Sequence, residues 1–288
     1  MSFNKSIIEM IKIRRSVRTF NEVPISEDVY KEIGEYLEAK ENLIGPFGRK
    51  IQIQIIPVNN KVTDKGIKIG TYGIIKNSKA FIVGGVEKDN MALVEHGYVF
   101  EALILYLAKL NLGTCWLGGT FKRDSFEKQI DLGNNEIIPV VSPVGYTDEN
   151  KRFLESFMRF AAKSDKRKPW GELFFSGGFN KALNYDEAGS FSVPMEMVRL
   201  GPSASNKQPW RIVLSEDKKI CHLYLAQTPN YSGNKMGFEM QRIDIGIAMC
   251  HFEMSCKELN LKGNWETKDP DISLPDNNMK YITSWITN

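Results

Sequence analysis

Two long apolar segments of this 288-residue chain end in the same way, and this repetition constrains the fold more than any other feature. The runs Leu110-Asn-Leu-Gly-Thr-Cys-Trp116 and Leu259-Asn-Leu-Lys-Gly-Asn-Trp265 lie 149 residues apart. Gly97 and Gly246 have the same spacing. A short match of this kind can arise by chance, but the order of the predicted elements agrees as well. The chain is therefore predicted to contain an internal duplication.

The periodicity of apolar residues predicts a similar series of helices and strands in both halves. In the first half we expect helices at 6–13, 27–40 (with Ser26 as N-cap) and 91–110, strands at 51–56, 80–84 and 137–142, and a turn at Gly145-Tyr146. In the second half we expect helices at 194–200 and 239–259 and strands at 211–214 and 222–226. The charged residues 147–170 are expected to connect the halves.

Composition favours a soluble cytoplasmic protein. The net charge of +3 is too small and too evenly spread to suggest a nucleic-acid partner. The apolar stretch near 98–110 is interrupted by Glu101 and is too short to span a bilayer, and no signal peptide is recognisable. The four cysteines lack a CxxC pair, which favours reduced thiols over a disulfide framework. The three histidines have no metal-ligand spacing, so no metal site is predicted.

Basic residues cluster in the run Arg14-Arg-Ser-Val-Arg-Thr-Phe20, where a predicted helix gives way to an extended segment. Guanidinium groups bind phosphate bidentately, and a hydroxyl can donate to a remaining oxygen. Alternation along an extended segment would bring Arg14, Ser16 and Arg18 to one side, as a clamp on a single anion. A solvated basic turn explains the same composition, and the composition alone does not distinguish the two.

A polar loop bracketed by prolines, Pro202-Ser-Ala-Ser-Asn-Lys-Gln-Pro-Trp210, precedes the predicted strand 211–214. Its small residues allow close approach of backbone N–H groups to a ligand, and Asn206 and Gln208 each carry a donor and an acceptor. These groups suit the edge of a polar heterocycle or a ribityl chain. An ordinary loop before a strand is the alternative.

Glycines follow the first long helix in the run Gly113-Thr-Cys-Trp-Leu-Gly-Gly119. Gly118 and Gly119 could bring two backbone amides against a flat ring. Cys115 has no histidine near it in the sequence, so a packed cysteine is favoured over a catalytic thiol. Neither the dinucleotide-binding G-x-G-x-x-G motif nor the P-loop motif occurs.

Taken together, these runs resemble the FMN-dependent nitroreductase family. Arg14-Arg-Ser-Val-Arg18 is similar to its N-terminal phosphate-binding motif, and Pro202–Trp210 is similar to its Pro-Ser-x-x-Asn-x-Gln-Pro-Trp loop. The run 112–119 is similar to its Gly-Thr-Cys-Trp-x-Gly-Gly segment, and Gly145-Tyr146 with Lys166-Arg-Lys-Pro169 resembles its C-terminal Gly-Tyr and basic pair. The resemblance implies a nitroreductase-like α+β fold.

The order of the motifs departs from that family. The Pro-Ser loop normally follows the Arg-Arg-Ser motif closely, but here that early position holds Gly45-Pro-Phe-Gly-Arg-Lys50. Family members are homodimers that bind FMN at the subunit interface. The resemblance therefore implies two family subunits fused head to tail, as two degenerate repeats, each with a mostly antiparallel sheet flanked by helices. The expected halves are residues 1–168 and 169–288, which form one monomeric pseudo-dimer with a single FMN site at their interface.

The resemblance also assigns roles to individual residues. Arg14, Ser16 and Arg18 would bind the phosphate and the pyrimidine edge of FMN, the 202–208 residues would line the ribityl chain and the ring, and the glycine amides would reach N5 and O4. The implied cofactor-binding set is Arg14, Arg15, Ser16, Arg18, Leu117, Gly118, Gly119, Lys166, Arg167, Pro202, Ser203, Ala204, Ser205, Asn206 and Gln208. Which of residues 166–168 faces the phosphate is left open.

The implied activity is a flavin oxidoreductase that passes hydride from NADH or NADPH through flavin N5 to a small-molecule acceptor, such as a nitroaromatic or a quinone. No catalytic side chain is required, because the cofactor carries the chemistry. The alternatives are a non-catalytic protein that binds or stores FMN, and a structural module whose site has decayed.

Overall fold

The chain folds as two units, each built around its own sheet. The computed structural model describes residues 6–58, 75–147, 166–231 and 236–287. Of these, residues 13–147 belong to the first unit, whereas 6–12, 166–231 and 236–287 belong to the second. The connector predicted at 147–170 falls mostly outside the described residues.

The N-terminal helix α1 (Ile7–Ile13) packs with the second unit although it comes first in the sequence. Its exposed N-terminal amides need acceptors, because the first turn of a helix has none within the helix. The Glu258 carboxylate supplies them, accepting from the Ile7 amide and, at 2.6 Å, from the Ser6 hydroxyl. A negative charge at a helix N-terminus is also favoured by the helix dipole.

The first unit is a mostly antiparallel sheet with a buried helix against it. Its elements are α2 (Glu27–Glu38), β1 (Gln52–Pro57), β2 (Ala80–Glu87), α3 (Asn90–Lys109), β3 (Leu112–Thr114), α4 (Arg123–Glu127), β4 (Glu136–Ile137) and β5 (Val141–Tyr146). The strand order is β1-β2-β5-β3, with β4 paired to β2 and all pairs antiparallel. The predicted helices are confirmed, and the Ser26 hydroxyl accepts from the Val29 amide at the start of α2.

Helix α3 forms the core of this unit. Residues 92–105 are all buried, so the helix has no solvent-facing stripe. The Asp89 carboxylate caps its N-terminus by accepting from the Met91 and Ala92 amides at 3.0 and 2.9 Å. Within the described part of the chain this is the one helix long and apolar enough to cross a membrane, but 83% of its apolar window is buried inside the protein.

The strand predicted at 137–142 is wrong in its position. The apolar residues Ile138 and Val140 are buried in the core without belonging to a strand, and β5 begins at Val141. Gly145 therefore lies within a strand, where it pairs with Gly113, and not in a turn. A Cβ on Gly145 would lie 2.9 Å from the Phe20 ring, so the glycine serves close packing of the segment that contains Phe20.

The second unit has a larger sheet. Its elements after α1 are α5 (Trp170–Leu173), β6 (Phe174–Ser176), β7 (Gly178–Ala182), α6 (Ser192–Leu200), β8 (Trp210–Leu214), β9 (Ile220–Ala226), α7 (Gln241–Glu258), β10 (Gly263–Glu266) and β11 (Met279–Thr287). The strand order is β10-β11-β9-β8-β6-β7, antiparallel apart from the parallel pair β6–β8. The prediction contained α6, β8, β9 and α7 but missed the other strands.

The two halves agree in detail where the long helices end. Helices α3 and α7 are each followed by a leucine and then by an asparagine with positive φ, Asn111 at 60° and Asn260 at 58°. The matched tryptophans then donate their indole N–H groups to a glutamate of the preceding helix, Trp116 to Glu101 and Trp265 to Glu253, both at 2.8 Å. The two units together form an α+β fold, as predicted.

The contrast between Gly145 and Gly34 gives a test of this packing. Gly145→Ala should lower the free energy of unfolding by about 1–3 kcal/mol, because the new methyl group overlaps the Phe20 ring. Gly34 lies within α2 with no atom near its missing Cβ, so Gly34→Ala should raise it by up to about 1 kcal/mol. Urea midpoints followed by circular dichroism measure both changes, and a Gly145→Ala midpoint at or above that of the wild type would contradict the packing.

Candidate functional site

In the first unit, the basic segment Arg14–Phe20 runs beside strand β3. Ser16 bridges to Thr114, and the Val17 amide donates to the Thr114 carbonyl at 2.8 Å. A Cβ on Gly113 would lie 2.8 Å from the Val17 side chain, so this glycine permits the close approach. The arginines are thus carried by backbone that is hydrogen-bonded to a sheet, and not by a free turn.

Side chains of this segment meet around the Cys115 thiol. Burial raises the pKa of Cys115, while Arg18, a hydrogen bond with Ser16 and Arg14 all act to lower it. These are the three alternate residues that the sequence analysis assigned to one side. Cys115 is buried and stays a thiol, and all four cysteines are free, as expected for a reduced protein.

Arg14 is the most unusual member of the segment, because its guanidinium group is buried. Its Nε atom lies 4.0 Å from Oε1 of Glu101, too far for a hydrogen bond. In the part of the chain that the structure describes, neither Nε nor Nη1 has a hydrogen-bond partner. Burial lowers the pKa of Arg14, and the Glu101 carboxylate opposes that shift. A buried cation with unused donors is suited to binding an anion.

Arg15, Leu117 and the glycine pair are the other predicted site residues of the first unit. The exposed Arg15 donates to the Arg14 carbonyl at 2.9 Å. Leu117 exchanges two backbone hydrogen bonds with Val141, at 2.9 and 3.0 Å, which joins this run to β5. The position that follows, Gly118, is half-buried, and Gly119 is exposed.

Arg123 orients the glycine pair, although the sequence offered no sign of this. Its guanidinium donates to the carbonyl groups of Gly118 at 2.7 Å, Ile138 at 3.1 Å and Pro139 at 3.2 Å. No hydrogen bond among the described residues uses the amides of Gly118 or Gly119. The space where a Gly119 Cβ would lie is also open, so these amides are available to a ligand.

In the second unit, the Pro202–Trp210 loop has an unusual backbone. Ser205, Asn206 and Gln208 have φ values of 51°, 54° and 49°. The left-handed region is disfavoured for residues other than glycine and is found mainly where the surroundings enforce it, often at functional sites.

Hydrogen bonds from neighbouring elements hold the loop in this conformation. The Gln208 amide donates to the Ser203 hydroxyl at 2.9 Å, and the Ser205 hydroxyl lies 3.2 Å from the Tyr231 hydroxyl. The Ala204 amide donates at 2.9 Å to Oδ1 of Asp244, which lies on α7. The loop therefore depends on side chains outside the motif, and Asp244 is one that the sequence analysis missed.

The two amide side chains of the motif bind the residues after the connector. Asn206 donates from Nδ2 to the Lys166 carbonyl at 2.8 Å and accepts from Arg167 Nη1 at 3.2 Å. Gln208 is 2% exposed and accepts from the Lys168 amide at 2.8 Å. Arg167 also donates to the Leu200 carbonyl at 3.0 Å. The structure thus brings residues 166–168 to the loop and leaves the Lys166 side chain exposed, while Gln208 supports the loop from inside.

Asp244 carries a buried carboxyl group with one unused oxygen. Burial raises the pKa of Asp244 to about 8, although the hydrogen bond from Ala204 acts in the opposite direction. Its Oδ2 atom has no hydrogen-bond partner in the described ranges of the chain. The half-buried Pro202 and the exposed Ser205 lie in the same loop, so the predicted site residues 202–208 are grouped around one backbone turn.

Comparisons with known proteins agree with the resemblance of the motifs. A family model described as "Putative TM nitroreductase" matches residues 6–256. A protein named as a "putative nitroreductase" from Thermotoga maritima has a similar crystal structure, with a TM-score of 0.62, 20% identity, and coverage of 99% of this chain and 95% of that one. This likeness shows that the fold is nitroreductase-like. The comparison with curated protein sequences gives no match.

Shorter structures align with about half of the chain. An FMN-dependent nitroreductase from Clostridium difficile has a TM-score of 0.39 and 19% identity, and covers 49% of this chain and 88% of its own. An FMN- and NADPH-dependent nitroreductase from Sphigopyxis has a TM-score of 0.40 and 14% identity, and covers 50% of this chain and 89% of its own.

The raised pKa of Asp244 predicts a pH dependence of stability. In the folded protein this carboxyl titrates near pH 8, whereas in the unfolded chain it titrates near the ordinary value of about 3.9. Between these values the folded state keeps a proton that the unfolded state releases. The free energy of unfolding should therefore fall as the pH rises, by up to roughly 1.4 kcal/mol per pH unit.

Asp244→Asn removes this titration while keeping an oxygen for the Ala204 amide. Between pH 5 and pH 9 the free energy of unfolding, measured by urea denaturation, should fall more for the wild type than for the variant. Asp217→Asn makes the same chemical change at an exposed carboxylate and should follow the wild type over this range. Parallel curves for the wild type and Asp244→Asn would show that Asp244 is ionised throughout.

Proposed function

The chain belongs to the family described as "Putative TM nitroreductase", whose model matches residues 6–256, and from this membership we propose that it is an FMN-dependent oxidoreductase. We infer that NADH or NADPH supplies the electrons and that a small molecule, such as a nitroaromatic or a quinone, accepts them. The observation that carries the proposal is the buried Arg14 guanidinium with unused donors, within the segment that resembles the family's phosphate-binding motif.

The residues of the first unit suit the phosphate of FMN. Arg14 offers Nε and Nη1, and the exposed Arg18 adds a second guanidinium on the side where Ser16 offers a hydroxyl group. A dianionic phosphate would satisfy donors that are otherwise buried without partners, which removes the cost of leaving them unbonded. Arg15 adds positive charge nearby.

The glycine pair suits the polar edge of a flat ring. The amides of Gly118 and Gly119 are unused within the described chain, and Arg123 fixes the peptide plane of the Gly119 amide through the Gly118 carbonyl. FMN, when bound, supplies the two-electron chemistry of the reaction. The protein then needs only to bind the ring, orient it and tune it with hydrogen bonds, so no acid or base side chain is required.

The loop of the second unit offers groups that suit the ribityl chain and the ring edge of FMN. Ser203, Ser205 and the backbone of residues 202–206 offer hydroxyl and amide groups, while Lys166 and Arg167 add positive charge next to them. Each of the two motifs occurs once per chain, so we expect one FMN per chain, bound by a monomer. Reduced cysteines support a cytoplasmic location.

A flavin-storage protein is the alternative, and reduction separates it from an enzyme. The protein is loaded with FMN, and NADH or NADPH is added without oxygen. An oxidoreductase should lose the absorbance of the oxidised flavin rapidly with at least one of the two donors, and the colour should return with an acceptor. Flavin that binds but stays oxidised with both donors would favour storage, and failure to bind FMN would refute the proposal.

The phosphate role of the basic segment gives a quantitative expectation. Arg18→Ala should raise the Kd for FMN by roughly 10- to 100-fold, because a charge-assisted hydrogen bond contributes about 1.5–3 kcal/mol. Arg14→Ala should do the same for Kd. Lys31→Ala removes one positive charge from the exposed face of α2 and serves as the control for net charge. Fluorescence titration measures Kd, and an unchanged Kd for Arg18→Ala would remove that residue from the site.

A further inference from the structure

Buried carboxyl groups hold a loop in each of the two units. Glu95 lies on α3 and Asp244 on α7, and 149 residues separate them, the spacing that also relates Leu110 to Leu259. Each accepts hydrogen bonds from the backbone of a loop: Glu95 from the 45–50 loop and Asp244 from the 202–210 loop. They are therefore corresponding residues of the duplicated fold.

The carboxylate of Glu95 is fully used. Its Oε1 atom accepts from the amides of Phe47 and Arg49, at 3.0 and 3.1 Å, and its Oε2 atom lies 3.4 Å from Nε of Arg49. Arg49 also pairs with Glu87 and, at 3.6 Å, with Asp89. The first-unit loop is thus closed upon itself by one arginine and three carboxylates.

The carboxyl group of Asp244 is used on one side only. Oδ1 accepts from the Ala204 amide at 2.9 Å, and no arginine or lysine of the described chain forms an ion pair with it. Ser205 and Asn206, which follow Ala204, have left-handed backbone conformations. The hydrogen bond between Ala204 and Asp244 therefore lies at the start of the strained turn. Asp244 thus holds the second-unit loop in position through one hydrogen bond, without an ion pair like that between Glu95 and Arg49.

We propose that Asp244 is a positioning residue that holds the Pro202–Trp210 loop ready for FMN, whereas Glu95 and Arg49 close the corresponding loop so that the first unit holds no second flavin. The proposal rests on the proposed function. It adds a residue outside the family-like motifs and a physical reason for one flavin per chain.

The test combines hydrogen exchange without flavin and FMN titration. In Asp244→Ala the Ala204 amide loses its acceptor, so exchange in the peptide 203–208 should be about tenfold or more faster, and the Kd for FMN should rise about tenfold or more. Asp244→Asn keeps the acceptor oxygen and should stay within about threefold of the wild type in both measurements. If Asp244→Ala fails to fold, Asp244→Leu keeps the branching at Cγ without the acceptor.

Glu95→Ala is the matched control in the first unit. It should speed exchange in the peptide 45–50 and leave exchange at 203–208 and the Kd of the wild-type FMN site unchanged within about twofold. Unchanged exchange at 203–208 in Asp244→Ala would overturn the positioning role, and so would faster exchange with an unchanged Kd. A wild type that binds two FMN would overturn the closed-loop argument. Hydrogen exchange is measured without flavin, so it tests the positioning role of Asp244 independently of enzyme activity. Failure of NADH or NADPH to reduce the bound flavin would contradict the proposed function and leave the exchange result unaffected.

Discussion

The full burial of the two long helices is the constraint from which the rest of the structure follows. Helices α3 and α7 have no solvent-facing stripe, so most polar side chains on them are buried, where a hydrogen-bond partner lowers the cost of burial. Glu95 and Asp244 accept from loop amides, and Glu101 accepts from the Trp116 indole. The helices thereby fix the 45–50 and 202–210 loops and the run that follows α3, in addition to forming the core.

The candidate site differs from a surface patch because its main groups are held by backbone pairing. The Arg14 side chain extends from a segment whose backbone is hydrogen-bonded to β3. The Gly118 carbonyl accepts a hydrogen bond from Arg123, which fixes its position. A buried guanidinium without hydrogen bonds is costly, and such a cost is tolerated in sites that bind a charged ligand. An anion bound by the unused Nε and Nη1 of Arg14 would offset that cost.

Sequence patterns predicted the parts of the fold that depend on local periodicity. The long helices and the strands β8 and β9 have clear apolar periodicity, and the structure confirms the positions predicted from it. The apolar run at 137–142 misled the prediction, because Ile138 and Val140 fill the core without strand pairing. The sequence did not identify Asp244 or Arg123 as site residues. A single polar residue within a helix or shortly after a glycine pair forms no recognisable sequence motif. Their roles depend on contacts with residues 40 and 5 positions away.

The attachment of α1 to the second unit through Glu258 has a consequence for how the chain can be divided. The second unit is discontinuous in sequence, since its first helix precedes the whole of the first unit. A cut after residue 165 therefore separates that helix from its acceptor and leaves Ile7, Met10 and Ile11 without the cover they have in the intact chain. A division of the chain that respects its packing would therefore have to keep residues 6–12 together with the residues after 165.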